Sequence, residues 1–139
     1  MTADEPQDVV LVDTSIWIDF FARSGPRSVK DALAALLEND QVATAGPIVL
    51  EVLQGCRSAP ERPRLEQNLR ALHWLPVEDR HWYLAGTMAF RLRRRGVTVS
   101  SVDALIATLA ESSGCPLLQH DRDFVLIARH TGLRLLTLP

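Results

Sequence analysis

Residues Val9-Val10-Leu11-Val12-Asp13-Thr14-Ser15 constrain the fold of this chain most strongly. Four apolar residues, three of them β-branched, leave no polar face. Such a run reads as a strand covered on both sides, the situation of strands in a parallel sheet. It ends on a carboxylate and two hydroxyls. In open α/β sheets, ligands bind outside the carboxyl ends of the strands. Asp13 is therefore either the N-cap of the next helix or a piece of chemistry.

The rest of the chain alternates helical and strand patterns. A short helix is expected near 15–22, with Ile16, Trp17, Phe20 and Phe21 on its apolar side. A Ser24-Gly25-Pro26 break precedes a helix near 27–39, where Val29, Leu33, Leu36 and Leu37 form one stripe. A strand at 41–45 leads through Gly46-Pro47 into a helix, Pro47 suiting the first helical position. Residues 57–63 read as a turn, 64–72 as a helix and 73–77 as a strand. A long helix at 79–95 stops at Gly96, a good left-handed cap. Further helices are predicted at 101–112 and 123–130, and further strands at 116–119 and 133–138. In the 101–112 helix, Val102, Leu105, Ile106 and Leu109 form the expected core stripe.

This order predicts an α/β fold, a three-layer α/β/α sandwich around a mostly parallel sheet. The 139 residues fit a single domain, 1–139, with residues 1–8 as a loose leader. A net charge of −2 gives no global attraction to nucleic acid, so any such binding needs a local basic patch. No apolar run approaches the ~20 residues that span a bilayer, and the polar, acidic N-terminus is unlike a signal peptide. A cytoplasmic protein without membrane association is expected. Cys56 and Cys115 form no CxxC pair and read as reduced thiols. The four histidines lack metal-ligand spacing.

Three further acids stand at unusual places. Glu51 is the lone carboxylate in the apolar stretch Pro47–Leu53, so it must be exposed, paired or bound to a cation. Asp103 lies in the first turn of its helix, where Ser100 and Asp103 also resemble a capping box. Asp121 follows an apolar strand as Asp13 does, and Asp123 is two residues on; one of the two should cap the last helix. Carboxylates converging on one sheet edge repel each other unless a divalent cation neutralises them. Oxygen-only ligands favour Mg²⁺, or Mn²⁺, over zinc. Such a centre suits phosphodiester chemistry, polarising a phosphoryl oxygen and activating water. Two other phosphoryl-transfer classes fit poorly. Ser15 stands where haloacid-dehalogenase phosphatases need an acid, and no GxxxxGK[ST] loop is present.

The segments VDTSIWIDF, PIVLEVLQG, SVDALIATLA and LLQHDRDF together resemble the PIN-domain nucleases, and among them the VapC toxins of prokaryotic toxin–antitoxin pairs. The resemblance runs along essentially the whole chain. It implies a PIN-like fold and a Mg²⁺-dependent endoribonuclease that uses metal-activated water. It also implies a catalytic quartet of Asp13, Glu51, Asp103 and Asp121, with Asp13 and Asp103 as the principal metal ligands and Thr14, Ser15 and Asp123 in support. A VapB-type antitoxin seated on the N-terminal helices and a homodimer are implied as well. The chain departs from the family at Gln119, where Thr, Ser or Asn is usual. The alternative is a PIN-like module that binds RNA or a partner without cleaving. Arg91, Arg94 and Arg95 share a face at the end of the long helix. They read either as a phosphate-binding patch or as cations that favour a helix C-terminus.

Overall fold

The computed structural model describes residues 8–136 and 138. The expected leader thus falls almost wholly outside the described residues, as do positions 137 and 139. Twelve elements alternate along the chain: β1 (Val10–Val12), α1 (Thr14–Phe21), α2 (Arg27–Glu38), β2 (Val42–Thr44), α3 (Gly46–Gln54), α4 (Arg62–Arg70), β3 (His73–Trp74), α5 (Asp79–Arg94), α6 (Ser101–Ser113), β4 (Leu117–Leu118), α7 (Arg122–Ala128) and β5 (Leu135–Leu136).

The strands form one five-stranded sheet in the order β3-β2-β1-β4-β5. Every pairing is parallel, for example Leu11 beside Ala43 on one side and Leu117 on the other. β1 therefore lies at the centre, and its Leu11 and Val12 are wholly buried, as their apolar run requires. From β1 the chain winds outward to β2 and β3, then returns to lay β4 against the other side of β1. The order reverses between β1 and β4, which makes their carboxyl ends the topological switch point. Helix packing falls into two groups, α1 to α4 and α5 to α7, joined mainly by α3 against α6. These are the outer layers of the expected sandwich.

Two sequence expectations change. Helix α4 begins at Arg62 and takes Pro63 into its first turn, because a proline there forfeits no intrahelical bond. In α6 the core stripe is wider than expected. Every residue from Ala104 to Ala110 is buried, while Val102, expected in the core stripe, is exposed at the start of the helix. Packing against α5, α3 and α7 covers this helix on several sides, so an amphipathic pattern understates its burial. Its small residues Ala104, Ala107 and Ala110 allow that close approach. The expected cap at Gly96 is present, with φ +82°, and Gly114 ends α6 with φ +67°.

Candidate active site

Two neighbouring strands deliver acids to the same edge. β1 ends at Val12 and is followed by Asp13; β4 ends at Leu118 and is followed, after Gln119 and His120, by Asp121. Both acids are N-caps. Asp13 Oδ2 accepts from the Ser15 backbone N–H at 3.1 Å and from Ser15 Oγ at 2.7 Å. Asp121 Oδ1 accepts from the Asp123 backbone N–H at 2.9 Å. A carboxylate has two oxygens, so capping with one leaves the other available. The alternatives of cap and chemistry are compatible.

Asp103 comes to this edge on the first turn of α6, whose N-cap Ser100 accepts from the Asp103 backbone N–H at 3.1 Å. Oxygens of Asp103, Asp121 and Asp123 lie within 4.8 Å of one another. Asp123, expected only in support, thus belongs to the tightest group among the described residues. Its signal in the sequence was the Asp-Arg-Asp spacing at a helix start, which puts two carboxylates in one first turn. Asp13 stands beside this trio, near enough for its charge to act on Asp103. Glu51, exposed on α3, is near enough for its charge to act on Asp13. Thr14 Oγ1 donates to Glu51 Oε1 at 2.9 Å. The two hydroxyls after Asp13 therefore divide their work: Ser15 orients Asp13, and Thr14 orients Glu51.

Gln119, the position at which the sequence departs from the expected pattern, makes a local bond. Its Oε1 accepts from the Asp121 backbone N–H at 2.6 Å, closing the turn that carries Asp121. Serine, threonine and asparagine close such turns through the same type of bond.

The electrostatics favour a cation. Burial pushes the Asp13 carboxyl above the ordinary carboxylate range, against hydrogen bonds from Ser15 and Thr14, and the Glu51 charge adds to the rise. Asp103 is pushed up to about 6, first by burial and then by the charges of Asp121, Asp13 and Asp123, against a hydrogen bond from Ser100. Among the described residues, the largest influences on either acid are burial, hydrogen bonds and other carboxylates, not Arg or Lys. The donors are all carboxylate oxygens, which suits a hard divalent ion.

The arginines lie elsewhere. Arg91 and Arg95 line a groove of about 510 Å³ with Thr108, Glu111 and His130, and Arg94 is outside it. The Arg95 guanidinium meets His130 Nδ1 at 3.3 Å. Thr108 and Glu111 lie five and eight residues beyond Asp103 on α6, roughly 8 and 12 Å along the axis. The patch is therefore set off from the acids by one to two helical turns.

A parallel sheet with a β1/β4 switch point and a cluster of acids at its carboxyl edge defines the class: an α/β protein with an all-carboxylate cluster at the strand ends. Residues 10–130 match the family model of the PIN domain, and the chain belongs to that family. Within it, the chain is similar to the curated Ribonuclease VapC11 of Mycobacterium tuberculosis, at 34% identity over 129 residues covering 91% of this chain and 96% of that protein. Among solved structures, FitAcB from Neisseria gonorrhoeae superposes with a TM-score of 0.76 at 16% identity, covering 93% of this chain and 97% of that one. VapBC2 from Rickettsia felis, bound to a DNA fragment from its promoter, gives 0.73 at 20% identity, covering 91% and 96%. At these identities, the structural likeness speaks to the fold alone.

Proposed function

We propose that the acidic edge is the catalytic centre of a Mg²⁺-dependent endoribonuclease, the toxin of a VapBC-type pair. One observation carries the reading. At least four carboxylates share the β1/β4 switch point, and burial together with the charges of Asp121, Asp13 and Asp123 pushes Asp103 up to about 6. Mutual repulsion of that kind persists in a fold when a cation relieves it.

In this reading Asp13 and Asp103 are the principal Mg²⁺ ligands, with Asp121 and Asp123 completing the site; Mn²⁺ would be accepted by the same oxygens. The ion supplies Lewis-acid activation of the phosphodiester and of water, and neutralises charge that develops on the departing oxygen. The protein's part is to hold its oxygens in place. Ser15 fixes Asp13, Ser100 fixes the first turn of α6, and the Gln119 amide fixes the turn before Asp121. Glu51, oriented by Thr14, would take the proton from the water that attacks phosphorus. Arg91, Arg94 and Arg95 bind RNA phosphates away from the scissile bond. A VapB-type antitoxin is the partner, a homodimer the assembly and the cytoplasm the setting. This agrees with the VapBC complexes among the structural neighbours, and no described helix is long and apolar enough to cross a membrane.

The test is cleavage of RNA by the antitoxin-free protein. Mg²⁺ should support cleavage and EDTA abolish it. Asp13→Asn and Asp103→Asn should each lower the rate by about a hundredfold or more, the scale on which ligand loss disables a metal centre. Undiminished cleavage by both variants would remove the assignment.

A further inference from the structure

His120 belongs to neither the acidic group nor the core, yet two of its atoms are bonded to α1. Its backbone N–H donates to Ser15 Oγ at 3.0 Å. Its ring Nδ1 meets Asp19 Oδ2 at 2.9 Å. An ionised carboxylate only accepts, so Nδ1 carries the proton in this pair. Ser15 and Asp19 are four residues apart on α1 and so share one helix face. Ser15 Oγ in turn donates to Asp13 Oδ2 at 2.7 Å. A continuous path of bonds therefore runs from Asp13 through Ser15 to residue 120, the neighbour of Asp121, with Asp19 as a second attachment.

We propose that His120 and Asp19 are positioning residues. They latch the β4–α7 turn onto α1 and so hold Asp121 and Asp123 against Asp13 and Asp103. The reason is electrostatic. The turn carries two carboxylates toward others of the same charge, and repulsion drives it outward whenever no cation is bound. Between strand end and helix start, the turn has few bonds of its own: the Gln119 amide closes it locally but does not tie it to α1. The latch does, and it thereby preorganises the ligand set and raises its affinity for the ion. The role needs a donor at the Nδ1 position and no change of charge. The ring is well exposed, and exposed pairs add little to global stability. Their loss should act on the site rather than on the fold. This inference rests on the metal-dependent reading above.

The test is direct Mn²⁺ binding to the full antitoxin-free chain, followed by electron paramagnetic resonance. His120→Ala and Asp19→Ala should each weaken binding about tenfold, as loss of a partner that orients a metal ligand does. The double variant should be no worse than either single one. His120→Asn should restore binding, because the asparagine Nδ2 takes the place of Nδ1; His120→Gln should not. Melting temperature and the KM for RNA should be unchanged, while cleavage at limiting metal falls with affinity. Wild-type binding by His120→Ala overturns the latch and leaves the nuclease reading intact. Equal loss in His120→Asn and His120→Ala also overturns it, since imidazole itself would then matter. Mn²⁺ binding that follows the expected order in a chain that cleaves no RNA would support the latch and remove the nuclease reading.

Discussion

Asp103 must carry a negative charge where helix packing and three other carboxylates all resist it. This has a measurable sign. Its carboxyl takes a proton near pH 6 in the folded metal-free chain and near its ordinary 3.8 when unfolded. Between these values the folded chain holds more protons than the unfolded one, so this residue makes stability fall as pH rises from 3.8 to about 6, and the penalty is full above that. Asp13, also raised, acts in the same sense. In EDTA, Asp103→Asn should therefore melt above the wild type at pH 7.5, by roughly 4 °C for ~1 kcal/mol of relieved repulsion. The gain should shrink at pH 5. A gain independent of pH would mean that repulsion is not its source. Metal affinity should run the other way, weakening below pH 6 as protons compete for the oxygens.

The same residue scale shows what the sequence could disclose. Asp13 and Asp121 were legible because each ends an apolar strand. Their dual use as cap and site residue was not, since spacing alone presents these as alternatives. The approach of Asp123 to Asp103 and the Ser15–His120 bond depend on how distant parts of the chain meet, and no local pattern records that.

At the scale of elements, the apolar runs and breakers predicted the order of every strand and helix. The short strands were the least exact, because sheet pairing, rather than composition, decides where β3 stops and where β5 begins. Helix α6 is the element on which the site depends most. It is clamped by α5, α3 and α7 while its first turn presents Asp103. Ile106, three residues beyond Asp103 on the same helix, is wholly buried. Ile106→Ala should cost about 3 kcal/mol of stability, read by urea unfolding. Ser100→Ala should cost only ~1 kcal/mol, the value of an N-cap, but should lower metal affinity as well, because the cap also fixes Asp103. If Ser100→Ala left metal binding unchanged, the cap would serve the helix and not the site.

At the scale of the whole molecule, the strand order is what no local reading supplies. Only the reversal after β3 lays β4 beside β1 and makes two acids from distant parts of the chain neighbours. The charge distribution belongs to this scale too. With a net charge of −2 and acids at the proposed reaction centre, RNA needs a local positive surface. The described ion pairs do not use Arg91, Arg94 or Arg95. Replacing all three with alanine should weaken RNA binding and flatten its salt dependence by about two in log–log slope, with cleavage at saturating RNA retained. The N-terminal helices are the other proposed contact. Trp17 is buried, stacked on Phe21 at 5.9 Å, and Phe20 and Leu53 are half-buried. Ile18, Phe21 and Leu50 remain exposed on α1 and α3, which pack together. Phe21→Glu with Leu50→Glu should release the antitoxin and leave nuclease activity in place.

All of this depends on the acidic edge holding a divalent ion. The most direct measurement is Mn²⁺ binding to the antitoxin-free wild type and to Asp103→Asn combined with Asp121→Asn, with RNA cleavage assayed on the same samples. The expected result is a bound ion and cleavage in the wild type, and the loss of both in the variant. An ion bound equally by both proteins, or cleavage that persists in the variant, would contradict the account.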